Sequence, residues 1–92
     1  MADGAPFPDA IVDAVWNRAQ SIPGFDSALW RVDAAGEAIC RYDYGCSGVR
    51  FAWEIDHIRP VAEGGSDALA NLQALRIDTN RRKGDAWPWH GY

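Results

Sequence analysis

The sequence is short of several things, and each shortage excludes something. It holds only two cysteines, Cys40 and Cys46, too few for the four-thiolate zinc site that staples many small domains. Reduced thiols are the plain reading, with a disulfide across the intervening turn as the next. A zinc site made of both cysteines with His57 and His90 fits no usual ligand spacing. No run approaches the roughly 18 consecutive apolar residues of a membrane span. The opening MADGAPFPDA also lacks the basic-then-apolar order of a secretory leader. These absences predict a soluble, cytoplasmic chain without membrane contact. Repeats and low-complexity segments are missing too, and so is positive charge: nine basic residues stand against thirteen acidic ones, a net charge of −4.

What is present is a globular composition, 48% hydrophobic with five tryptophans in 92 residues, on which a core is expected to be built. A chain of this length has material for one core, so residues 1–92 are read as a single domain. The acid is unevenly spread. Residues 1–46 carry three basic and seven acidic side chains, whereas residues 47–92 carry six of each. Within the second half, Arg76, Arg81, Arg82 and Lys83 stand close together with one acid, Asp78.

Apolar residues at Ile11, Val12, Val15, Trp16 and Ala19 recur at helical intervals and predict a packing helix from Pro8 to Gln20, broken by Ile22-Pro23-Gly24. Trp30 to Cys40 reads as a hairpin turning at Asp33 to Gly36. Val49 to Ile55 alternates, sending Phe51, Trp53 and Ile55 to one face and Glu54 and Asp56 to the other. A turn-rich loop, Arg59 to Ala70, precedes a short strand, Asn71 to Leu75, and a polar helix from Ile77 to Asp85 stopped by Gly84. The fold class is α+β. The terminal WPWHGY is read as a tail over the core, with Trp87 and Trp89 in the core or an interface rather than stacked on bases. His90 is read as an ordinary surface or core histidine.

The chemistry-bearing residues follow one order: Glu54-Ile55-Asp56-His57 at a strand end, Asn71 fourteen positions after His57, and Asn80 nine positions after that on the next helix. This pattern, from Trp53 through Asp56-His57, Gly64-Gly65, Asn71-Leu72-Gln73 and Asn80-x-x-Lys83-Gly84 to Asp85, resembles the HNH nuclease family, in an Asp-His…Asn…Asn variant. The resemblance covers a little over a third of the chain and is specific, since a lone Asp-His would mean little. It implies that the packing helix and hairpin lead into a ββα-metal motif spanning about residues 49–85.

The resemblance also implies roles. His57 would be the general base, for which an imidazole is suited at neutral pH. Asp56 and Asn80 would hold one divalent cation that neutralises charge at the scissile phosphate. Two oxygen donors, where relatives have imidazoles, favour Mg²⁺ or Mn²⁺ over Zn²⁺. Asn71 would brace the loop so that His57 points inward. Glu54 reads equally as a further group of the metal site or as a solvated strand residue. Arg81, Arg82 and Lys83 are candidate phosphate contacts, with Lys83 and Arg82 foremost and Arg59 weaker.

The implied activity is metal-dependent hydrolysis of DNA phosphodiester bonds, nicking one strand per catalytic centre. A ribonuclease of the same design and a DNA-binding module that has lost cleavage are the alternatives. With so small a basic patch, binding should be weak and salt-sensitive, and sequence specificity low or supplied by a protein partner.

Overall fold

The structure, a computed structural model, describes residues 7–89, so His90 lies outside the described residues. Helix α1 spans Asp9–Arg18. Pro8 precedes it and Asp9 stands in its first turn, where a negative charge suits the exposed N–H groups. Val12, Val15 and Trp16 form its buried face. The helix stops two residues before the expected Gln20, because Arg31 reaches across to its end. The Arg31 guanidinium donates to the carbonyls of Ala19 (2.8 Å), Asn17 (3.2 Å) and Ser27 (2.9 Å). The Asn17 and Ala19 carbonyls at the helix end thus need no further helical turn, and the chain leaves in an extended conformation.

Strand β1 (Gln20–Ser21) then pairs with β2 (Trp30–Val32), which pairs with β3 (Ala38–Cys40), all antiparallel. The last two make the expected hairpin, and β1 adds a strand the sequence pattern did not suggest. The hairpin turn is organised by Asp33, which is only 6% exposed. Its Oδ1 accepts the Ala35 and Glu37 N–H groups, and its Oδ2 accepts the Arg76 N–H at 2.9 Å, 43 residues further on.

A second, two-stranded sheet is made of β4 (Trp53–His57) and β5 (Leu72–Arg76), antiparallel with Ile55 opposite Ala74 and Asp56 opposite Gln73. Helix α2 (Ile77–Lys83) follows directly. β4 runs on to His57, past the expected Ile55, and β5 is shifted by one residue; two boundaries fall short of expectation by two residues or more. β4 begins at Trp53 and not at Val49, because residues 45–51 turn on themselves. Val49 N–H bonds to the Cys46 carbonyl and Ala52 N–H to that of Val49, while Gly45 and Gly48 adopt positive φ. Helix α2 ends at Lys83 rather than Asp85, with Gly84 at φ 54° as the stop.

One hydrophobic cluster joins both halves: Val12, Val15 and Trp16 from α1, Ile39 from β3, Trp53 and Ile55 from β4, and Leu72 and Ala74 from β5. Trp53 is fully buried, its ring 5.3 Å from that of Trp16 and 4.9 Å from that of Tyr44, and its Nε1–H bonds to the Cys40 carbonyl. The aromatic core is therefore real but rests on Trp16 and Trp53. Trp87, expected in a core or interface, is 46% exposed. With Pro88 and Trp89 it flanks a cleft that Ala34, Ile58, Gln73 and Lys83 also line. Cys40 and Cys46 are free thiols, and no helix among the described residues is long and apolar enough to cross a membrane.

Asp33 couples the hairpin to the junction of β5 and α2, so its removal should be felt well beyond the turn. Asp33→Ala leaves three backbone donors without their acceptor and is expected to cost about 3 kcal/mol, lowering Tm by roughly 10 °C or more in thermal denaturation. Asp33→Asn, which keeps one acceptor oxygen, should lose less.

Candidate active site

Successive side chains of a strand point to opposite faces, and β4 divides its residues accordingly. Trp53 and Ile55 enter the core, while Glu54 and Asp56 face α2. From β5, Gln73 lies opposite Asp56 on that same polar face. Helix α2 presents Asn80 and Lys83 to it, three residues apart and therefore on one side, whereas Arg81 and Arg82 are exposed.

The contacts between these groups are specific. Asn80 Nδ2 donates to Glu54 Oε1 at 2.8 Å. Gln73 Nε2 donates to Asp56 Oδ2 at 2.9 Å. The Lys83 ammonium, with 1% of its side chain exposed, stands 3.2 Å from Asp56 Oδ1 and donates to the His57 carbonyl at 3.1 Å. Burial pushes the Asp56 carboxyl above its ordinary pKa, while the Gln73 hydrogen bond and the charges of Lys83 and His57 pull it back.

His57 ends β4 with its backbone paired to Leu72. The residue is 4% exposed, its ring centroid lies 6.1 Å from that of Phe7, and Nε2 is 2.6 Å from Asp67 Oδ1. Asp56 and His57 are adjacent in sequence but turned to different surroundings, the first against α2 and the second against Phe7 and the loop.

That loop is tied by Asn71. Its Oδ1 accepts the Arg59 N–H, its Nδ2 donates to the carbonyls of Arg59 and Ser66, and its own carbonyl accepts the Ile58 N–H. Gly65 packs so closely that a Cβ there would lie 1.7 Å from the Arg59 carbonyl oxygen. Arg59 is exposed, with its Nε–H donated to the Glu63 carbonyl.

The structure thus brings Asp56, Asn80 and Glu54 to one face and sets His57 at its edge. Lys83, expected to grip phosphate, is instead buried against Asp56 and is not on the outer surface. Helical spacing carried that signal, since a helix that turns residue 80 inward turns residue 83 inward as well. Gln73 and Asp67 were missed. The first follows once the β4–β5 register is known, and the second depends on the path of the loop, for which the sequence holds no local sign.

The donor set suits a hard cation. The Asp56 carboxylate has about four lone-pair positions, of which Gln73 and Lys83 use two. Glu54 can only accept, so it fixes the Asn80 amide with Nδ2 toward itself, and Oδ1 has no hydrogen-bond partner among the described residues. No group of three or more His, Cys, Asp or Glu able to hold a metal occurs among the described residues. The available donors are thus one carboxylate and one amide oxygen.

A short antiparallel ribbon backed by a helix, with an imidazole at the end of one strand and oxygen donors between ribbon and helix, is a ββα arrangement. Residues 45–86, a little under half of the chain, match the family model described as HNH endonuclease. Nucleic-acid binding and metal-dependent cleavage are general to that class. No curated protein and no solved structure matches the chain.

The Asp56–Lys83 pair generates a direct test. Removing one partner of a buried ion pair leaves the other uncompensated, at a cost of about 3–5 kcal/mol. In EDTA, Lys83→Met should lower stability by about that amount in chemical denaturation. The double variant Lys83→Met/Asp56→Asn should lose clearly less than the sum of its two single changes. Additive losses would mean that the pair is not coupled.

Proposed function

We propose that residues 1–92 form a single nuclease domain that hydrolyses DNA phosphodiester bonds, one strand at a time, with one Mg²⁺ or Mn²⁺ held by Asp56 and Asn80. The observation that carries this reading is that the polar face between β4 and α2 holds both a buried carboxylate, Asp56, and the buried Asn80 amide, with an imidazole one residue further along the strand. When bound, the cation would act as a Lewis acid toward the phosphate and its leaving oxygen.

The chain's own residues have distinct tasks in this reading. His57 accepts the proton of the attacking water. Lys83 and Gln73 hold Asp56 as an oriented carboxylate, and Glu54 turns the amide oxygen of Asn80 away from itself. Asn71 closes the loop behind His57. Arg81 and Arg82, on the solvent side of α2, contact the sugar-phosphate backbone, with Arg59 at the loop as a weaker third. Such contacts give affinity without sequence information, so sequence selection would come from a partner.

The test is incubation of the protein with supercoiled plasmid and with labelled RNA, under Mg²⁺, Mn²⁺, Zn²⁺ or EDTA. Nicking with Mg²⁺ or Mn²⁺ is expected, and His57→Ala and Asp56→Asn should each reduce it by at least about 100-fold. Cleavage that survives His57→Ala removes His57 as base. Binding without cleavage under every metal would identify a non-cleaving module, and RNA hydrolysis with intact plasmid a ribonuclease.

A separate measurement addresses the ligands. Replacing the amide by an imidazole in Asn80→His should move the metal preference toward Zn²⁺ or Ni²⁺, read as the ratio of nicking rates across metals. An unchanged profile excludes Asn80 as a ligand.

A further inference from the structure

We infer that Asp67 is a positioning residue for His57, holding its imidazole with the hydrogen on Nε2 so that Nδ1 is the nitrogen that receives the proton. The inference rests on the reading of His57 as the base, but the contact itself does not. Asp67 Oδ1 lies 2.6 Å from His57 Nε2, and an ionised carboxylate can only accept a hydrogen bond. In the neutral imidazole Nε2 must therefore carry the hydrogen, which leaves the lone pair on Nδ1. Nδ1 has no hydrogen-bond partner among the described residues, and none of their buried side-chain polar atoms is left unpartnered. Nδ1, the nitrogen without a partner, is therefore not wholly sealed from solvent.

The path of the loop makes this contact more than an encounter between a surface carboxylate and a histidine. The Asp67 side chain is 72% exposed while that of His57 is 4% exposed, and a solvated aspartate ordinarily gains little from such a pairing. Here the backbone on both sides of Asp67 is fixed. The Ser66 carbonyl is held by Asn71 Nδ2 at 2.8 Å, and the Ala68 N–H is held by Ser66 Oγ at 3.2 Å. One residue earlier, Gly65 packs on the Arg59 carbonyl where no Cβ fits, and its N–H bonds to the Pro60 carbonyl at 2.9 Å. The Gly-Gly turn and Asn71 together deliver Asp67 to the ring edge of His57.

The division of labour balances in protons. Water gives its proton to Nδ1, the hydrogen on Nε2 stays on the ring and shared with Asp67, and the resulting imidazolium has a carboxylate beside it. Asp67 takes up no proton and touches no substrate.

The test joins a spectroscopic and a kinetic readout. In the metal-free protein the imidazole N–H of His57, assigned by its absence from His57→Ala, should be a downfield resonance protected from solvent exchange. Asp67→Ala should abolish that protection and lower kcat for plasmid nicking about tenfold, with KM changed less than about twofold because Asp67 does not contact DNA. Asp67→Asn, which keeps an acceptor oxygen, should restore the protected resonance and part of kcat. An unprotected resonance in the wild-type protein overturns the inference, as does an Asp67→Ala variant with unchanged kcat. Failure of the nuclease reading would show itself differently, as cleavage that persists in His57→Ala.

Discussion

The register of β4 against β5 is the constraint on which everything else depends. Five rungs, from Trp53 opposite Arg76 to His57 opposite Leu72, send alternate residues into two unlike surroundings. Trp53, Ile55, Leu72 and Ala74 complete the core against α1, and Glu54, Asp56 and Gln73 meet α2. A slip of one residue would exchange the faces, placing Asp56 in hydrocarbon and Trp53 against an ammonium. The hydrophobic pattern therefore does more than stabilise the domain. Burying Trp53 in the core is what aims Glu54 at Asn80 and Asp56 at Lys83.

Charge is distributed on the same principle. The chain is net acidic and has a single lysine, and that lysine is inside. An ammonium buried on a carboxylate adds little net stability over an apolar pair of similar volume, so stability alone does not account for its position. Its double contact, with Asp56 Oδ1 and the His57 carbonyl, fixes the proposed ligand and the proposed base relative to α2. Arginines, which remain charged in any surroundings and carry a fork of donors, are left on the outside of the helix, where a phosphate backbone would meet them.

Much of this was legible beforehand, and the failures share a physical cause. Helix α1, the hairpin, the Gly-Gly loop, β5 and the stop of α2 at Gly84 follow from periodicity and turn chemistry, which act over a few residues. The start of β4 was set too early because Val49 and Phe51 continue the alternation of Trp53 and Ile55, while turns anchored at Gly45 and Gly48 take that stretch out of the sheet. Asp33 was visible as a turn residue, but its bond to the Arg76 N–H spans 43 positions. Lys83 was drawn into a basic run that looked like one surface, although helical geometry separates it from Arg81 and Arg82. Gln73 and Asp67 become meaningful only through pairing register and loop path, neither of which is a local property.

The loop between the strands shows how an exposed segment can be held without a core of its own. Beyond the last rung of the ladder, the Ile58 N–H still bonds to the Asn71 carbonyl at 2.8 Å, so the pairing runs one step past His57. The Asn71 side chain then replaces the missing rungs, joining Arg59 on one strand's exit to Ser66 in the loop. His57 is thus flanked on both sides by fixed backbone, and its neighbour Asp56 is locked by α2. Two adjacent residues receive different partners, a carboxylate for the imidazole and an ammonium and an amide for the carboxylate. In the proposed reading, that asymmetry is what would let a proton acceptor and a cation ligand stand one residue apart.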